Sequence, residues 1–341
     1  MHTFLTPEPV TIEIRNSAGS VLIDLADVTT STVDVVAGPS HPLGFLDDVI
    51  RAAKAQFVGA RSGGPDANAD HGWGADVPTD DPAERVRVDL RPSGSEGGAS
   101  TLIVDTDPAR DGWKSSFTVH VTAPAGSGVR VQTQSASGVV NGIADRVEVR
   151  TASGDVRVDQ VLGRSVVQTA SGDVTISDTA ECDVRTASGD IELRRVRAEA
   201  LVHSTSGDIR IDAAGRDVSA RSVSGDLRLL DVTAGRAELI SVSGDVEVGV
   251  HAGTLAAIDL NTVSGSTAND FVVSAAPPAP ETTVADAAYL ADAEFDAEGG
   301  SRVSTDARSA AGPHAGTDEP LLDLRVKTTS GDIRLHRAAA H

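Results

Sequence analysis

The tripeptide Ser-Gly-Asp recurs at a short, nearly constant period, and that recurrence narrows the possible folds more than any other feature. It stands at Ser153-Gly154-Asp155, Ser171-Gly172-Asp173, Ser188-Gly189-Asp190, Ser206-Gly207-Asp208, Ser224-Gly225-Asp226 and Ser243-Gly244-Asp245, with a further copy at Ser330-Gly331-Asp332. Degenerate copies, Ser137-Gly138-Val139 and Ser264-Gly265-Ser266, flank the central run. From Ser137 to Ser264 the steps between serines are 16, 18, 17, 18, 18, 19 and 21 residues. A period this short means a stacked array, because one such unit cannot bury its own apolar face.

Aligning the copies exposes columns. Three and five residues after the serine stand pairs such as Val156 and Val158, Ile191 and Leu193, and Ile209 and Ile211, with Arg157, Glu192 or Arg210 between them. That alternation describes a strand with one buried face. Four residues before the serine the column reads Val149, Val167, Val184, Val202, Ala220 and Leu239, a second short strand. The predicted fold is therefore all-β: a β-solenoid (β-helix) with two short strands per rung of about 18 residues. Gly154, Gly172, Gly189, Gly207, Gly225, Gly244 and Gly331 supply the corner's positive φ. Two residues before the serine every copy carries a hydroxyl, from Ser135 and Thr151 through Thr169, Thr186, Ser204, Ser222 and Ser241 to Thr262 and Thr328. Its parity places it inward, predicting a buried hydroxyl ladder whose members bond one another. Cys182 falls in an inward column as a small core residue.

Asp155, Asp173, Asp190, Asp208, Asp226 and Asp245 would stack along one edge, about 4.8 Å apart. Two readings stay open: turn carboxylates that accept backbone donors, or a ladder that shares Ca²⁺ between rungs. The outward columns carry cations. Arg150, Arg185, His203, Arg221 and Lys327 line the strand before the corner, and Arg157, Arg210, Arg228 and Arg334 the strand after it. They form either an ordinary solvated face or an anion-binding interaction face.

Outside the array, Thr11–Arg15, Val21–Leu25, Thr32–Val36, Arg85–Leu90, Thr101–Asp105 and Ser116–Thr122 read as strands, so residues 1–123 form irregular rungs and a cap. An amphipathic helix is predicted over about 43–58, with a flexible loop over about 61–82. The regular solenoid covers 124–273. Residues 274–320 form an acidic Ala/Pro-rich insertion predicted to be disordered, with nine acidic residues against Arg302 and Arg308 from Glu281 to Glu319. Residues 321–337 supply the final rung and cap.

Composition excludes several functions. A formal net charge of −21 opposes nucleic acid as a partner. No apolar run is long enough to insert into a membrane, and Met1–Glu8 lacks a signal-peptide pattern, which predicts a cytoplasmic protein; export to the cell surface by a non-classical route is the alternative. A single cysteine rules out an intrachain disulfide. Nucleophile-elbow, zinc-protease and phosphate-loop motifs are missing, so neither enzymatic activity nor a cofactor is expected. A solenoid carbohydrate enzyme would use aromatic platforms, yet aromatics make up 3% of the chain, with Trp73 and Trp113 outside the regular rungs.

The rung motif Thr-Ala-Ser-Gly-Asp-Val at Thr151–Val156, with Thr169–Val174 and Thr186–Ile191 and the lead-in Pro124–Val131, resembles the bacterial putative-adhesin group, also called toastrack domains. The resemblance spans about Thr11–Val36 and Arg85–Val273 plus the last rung. It implies a non-enzymatic β-repeat domain linked to envelope-stress sensing or to surface adhesion, and it carries over no catalytic residue. Three functions follow: a scaffold or protein-interaction module with a protein partner, accessory to envelope-stress sensing or regulation; an adhesin-like surface or envelope protein; or a solenoid carbohydrate-active enzyme.

Overall fold

The computed structural model describes residues 1–38, 86–93, 99–106, 116–271, 273–274, 301–308 and 321–338. All regular structure among them is β-strand. The helix predicted over 43–58 and the loop over 61–82 lie outside the described residues.

Alternation of β-branched and polar residues builds the rungs as expected. Val156, Val174, Ile191, Ile209, Leu227 and Val246 pair in parallel register from rung to rung and are at most 1% exposed. The facing strand contributes a second inward column, Val149, Val167, Val184, Val202, Ala220 and Leu239. Both columns belong to one continuous core. Burying each valine or leucine contributes about 1.5–3 kcal/mol. The unequal rung lengths are absorbed away from the Ser-Gly-Asp corner. The register shifts between Thr179 and Glu181 at the second bend, while the corner serines Ser171, Ser188 and Ser206 stay aligned.

Stacking explains the corner glycine. Gly207 has φ +128°, and a Cβ there would land on the carbonyl oxygen of Gly189 in the next rung. Main-chain bonds tie the corners together, as in Gly189 N–H to Ser206 O (3.1 Å) and Ile191 N–H to Asp208 O (2.9 Å).

The hydroxyl column is real but works differently from the sequence expectation. Thr151, Thr169 and Thr186 donate to the carbonyls of Ser153, Ser171 and Ser188 at 2.9–3.0 Å and so cap their own corners, while Ser241, Thr262 and Thr328 reach the carbonyls of Gly225, Gly331 and Gly244 in the adjoining rung at 3.1–3.4 Å; none bonds the next hydroxyl. The buried Oγ atoms of Ser204 and Ser222 have no partner. The column also begins at Thr133 instead of Ser135. Ser135 pairs with Ser153, which makes it the corner serine and shifts the degenerate copy by two residues. Thr133, 8% exposed, faces Asn16 in the adjoining rung.

Rung order departs from sequence order at both ends. Thr11–Ala26 pairs in parallel with Gly128–Ala144 on one side and with Thr101–Asp105 and Ser116–Pro124 on the other. The earliest complete rung in sequence therefore lies second in space. At the other end Leu321–Ser330 and Ile333–Arg337 lie between the rung Gly235–Val250 and the rung formed by Leu255–Ser264 and Thr267–Asn269. The prediction that 321–337 forms the final rung is corrected: it lies beneath 255–269, which is the outermost rung. The outer rungs are covered by antiparallel strands. Thr30–Gly38 and Arg87–Arg91 cover one end. Ser301–Arg308, inside the insertion predicted to lack structure, covers the other. Antiparallel covers end a parallel stack because their hydrogen-bond pattern does not template a further parallel rung.

Candidate functional site

The outward face of the strand before the corner presents three parallel columns. Nearest the corner are small residues, Ala152, Ala170 and Ala187. Next come Gln132, Arg150, Gln168 and Arg185, and beyond them Arg130, Glu148, Val166 and Asp183. The alanines leave a shallow trough of about 570 Å³, which runs across the strands along the stacking direction. Its lining consists of the glutamine–arginine column, the alanines and the threonine row beneath, and it contains no carboxylate. On a chain of net charge −21 that strip is an exception.

Each arginine is oriented from its far side. Arg150 pairs with Glu148 at 2.9 Å and Arg185 with Asp183 at 3.1 Å. Arg221 reaches Glu238 at 3.2 Å and Arg15 reaches Glu13 at 3.2 Å. A guanidinium has five donors and such a pair occupies one or two, so donors remain for a ligand. The arginines are roughly half exposed and Glu148 and Asp183 largely buried, so each pair contributes on the order of 1 kcal/mol. Their effect here is to hold an arginine rotamer. His203 continues the column between Arg185 and Arg221. Burial, and then the charges of Arg221 and Arg185, lower its pKa, so it is neutral at pH 7.

The six arginines expected on an interaction face do not come together. Arg150, Arg185 and Arg221 share the trough face. Arg157, Arg210 and Arg228 lie on the strand after the corner, in a mixed column with Thr175, Glu192 and Glu247. Arg210 pairs with Asp212 at 2.8 Å, and Arg228 with Asp226 at 2.9 Å and Asp208 at 3.6 Å. Lys327 stands between Ile240 and Asn261, and Arg334 between Glu247 and Ala268. Sequence reasoning missed the glutamines and alanines. The signal was present as alternation in the repeats: Val149-Arg150-Thr151-Ala152, Val167-Gln168-Thr169-Ala170 and Val184-Arg185-Thr186-Ala187.

The corner aspartates form a second ladder. Oδ1 of Asp155 accepts the backbone N–H of Asp173 at 3.1 Å, and Asp173, Asp190, Asp208, Asp226 and Asp245 repeat the bond to the next rung at 2.8–2.9 Å. The last carboxylate, Asp332, accepts both the N–H and the hydroxyl of Ser266, at 2.8 and 2.9 Å. Those two bonds hold its pKa below the usual carboxylate value. One oxygen of every ladder carboxylate is thus committed to the main chain. No group of three or more His, Cys, Asp or Glu among the described residues is arranged to hold a metal ion. Cys182 lies in the core, and burial pushes its thiol up to about 12.

Residues 114–252 match the family model for Toastrack DUF4097. No curated protein matches the chain. A solved structure from Clostridium sporogenes, described as a putative cell adhesion protein, is similar over 98% of this chain and 98% of its own, at 8% identity and a TM-score of 0.22. At that score the superposition is too poor to say anything of this chain.

Proposed function

We propose that the protein is a non-enzymatic solenoid scaffold that docks a protein partner along the trough beside the Ser-Gly-Asp corner. One observation carries this reading: a strip lined by arginine, glutamine and alanine without a carboxylate, on a strongly acidic molecule. The aspartates that might have served catalysis are committed to backbone amides, which supports a structural role for that edge. A photo-crosslinking amino acid at Ala170 is expected to capture a defined protein in the native cells, while the same group at Thr175, on the other outward face, is not. Equal capture from both positions, or none from either, would sink the reading.

The finer part of the proposal is an accessory role in bacterial envelope-stress sensing or regulation, the role that the resemblance to toastrack domains implies, carried out in the cytoplasm. Cells lacking the protein should respond abnormally to inhibitors of envelope synthesis. An unchanged transcriptional response and unchanged survival would remove that part and leave the docking face standing.

A further inference from the structure

The arginines of the trough column do not occur at every rung. In spatial order the column reads Arg15, Gln132, Arg150, Gln168, Arg185, His203, Arg221. Arginine alternates with an uncharged residue through seven rungs, His203 being neutral at pH 7. With rungs about 4.8 Å apart, the positive charges repeat about every 9.6 Å. The trough itself spans the four rungs from Gln132 to Ala187, and a ligand that lies in it and follows the column past both ends meets a ruler that its own repeat must match.

Common peptide conformations can be tested against that ruler. An extended β-strand returns a side chain to the same side about every 6.7 Å and loses step at the second contact. An α-helix returns after two turns, about 10.8 Å, and slips by more than 1 Å per contact. A polyproline II helix has three residues per turn and rises about 3.1 Å per residue, which gives about 9.3 Å. Over the run from Arg15 to Arg221 its accumulated mismatch is about 1 Å. A flexible arginine accommodates that.

Building on the docking proposal above, we infer that the trough recognises a polyproline II segment bearing one carboxylate at every third residue. Guanidinium–carboxylate pairs form at the arginine rungs. The intervening Gln132 and Gln168 carry both donors and acceptors, which suits the unpaired backbone carbonyls that a polyproline II helix leaves exposed. The alanine floor admits proline rings without steric conflict. The ligand's remaining positions are uncharged, because Asp155, Asp173 and Asp190 stand at the corner three residues beyond the alanines. An acidic glycan with one charge per disaccharide could offer a related spacing, but the trough lining contains no aromatic ring on which sugars stack.

The experiment uses the full chain and fluorescence-labelled Glu-Pro-Pro repeats. Controls are Glu-Pro repeats of equal length, which carry more charge out of step, and an oligosaccharide of hyaluronate. The Glu-Pro-Pro peptide is expected to bind more tightly than the more highly charged Glu-Pro peptide, and to weaken as salt rises. Arg150→Gln with Arg185→Gln makes the central column all glutamine, as Gln132 and Gln168 already are, so the fold is retained. The double variant is expected to lose about tenfold in affinity. Gln168→Arg places charge at successive rungs and should erase the preference for the three-residue period. Binding that follows total charge instead of period overturns the proposal, as does binding insensitive to the double variant. Arginine-dependent binding of hyaluronate without the peptide overturns it in favour of a glycan. If Ala170 captures a protein but Glu-Pro-Pro repeats do not bind, the polyproline inference falls and the docking reading survives; if neither occurs, both fall.

Discussion

From Val147 to Val250 each rung rests on its neighbour in sequence, whereas at both ends a rung distant in sequence is inserted beneath the outermost one. The two ends do this in the same way. A U-shaped rung, Thr11–Ala26 or Leu321–Arg337, sits under a short bridge that steps over it, Ala125–Ser127 or His251–Thr254. Val10 N–H donates to Ser127 Oγ at 3.0 Å, and Ala338 N–H to Val250 O at 2.9 Å. A uniform array would fray from its terminal units, since each repeat is held only by its neighbours. Here the outer rung holds the inserted one and the inserted one holds the outer. The middle gains stability from repetition, the ends from interleaving.

The largest test of that contrast compares two deletions. Excising Gly172–Ser188, which is 17 residues, joins Ser171 to Gly189 and should leave a shorter stack that still unfolds cooperatively. Ending the chain at Pro320 removes 21 residues and leaves the edges of Gly235–Ser243 and Leu255–Ser264 without their shared partner. Amide exchange in 255–269 should then become fast. If the excision did equal damage, the middle would not be modular.

A smaller effect separates a corner glycine from a strand glycine. Gly207→Ala meets the neighbouring main chain at positive φ and should cost about 3 kcal/mol or more in denaturant unfolding. Gly138→Ala, at the strand position paired with Val156, has open space and no positive φ; it should change stability by less than about 1 kcal/mol. Within the hydroxyl column, Thr186→Ala loses its bond to Ser188 O and should cost about 1–2 kcal/mol. Ser204→Ala removes a hydroxyl that has no partner, and should be neutral or slightly stabilising.

The smallest effect concerns pH at the capped end. Asp332 has a lowered pKa because Ser266 donates two bonds to it. Its contribution is therefore present above the ordinary carboxylate pKa and lost as pH falls through the depressed value. Carbonyl NMR should show Asp332 titrating lower in wild type than in Ser266→Ala. Identical titration in both proteins would separate the end cap from this carboxylate.

The columns could be read from the chain because side-chain parity in a strand is local. Val156, Val174, Ile191 and Ile209 announce their face through alternation alone, and the corner glycines and aspartates through their spacing. The hydroxyl column was legible by position but not by partner, since a threonine at that parity can reach either the next hydroxyl or its own corner carbonyl. The trough lay half in view. Its arginines stand out as charged, whereas Ala152, Ala170 and Ala187 acquire meaning only when stacking sets them beside those arginines.

Sequence by itself determined the rung: its length, its two strands, its corner, and which side chains enter the core. Tertiary structure alone decided the order of rungs at the ends. Every rung offers nearly the same backbone edge and the same columns, so the lateral register carries no label saying which rung comes next. Placing 321–337 beneath 255–269 depends on burying Leu322, Leu324 and Val326 from both sides and on covering the outer edge with Ser301–Arg308. Those gains exist only once distant segments have met.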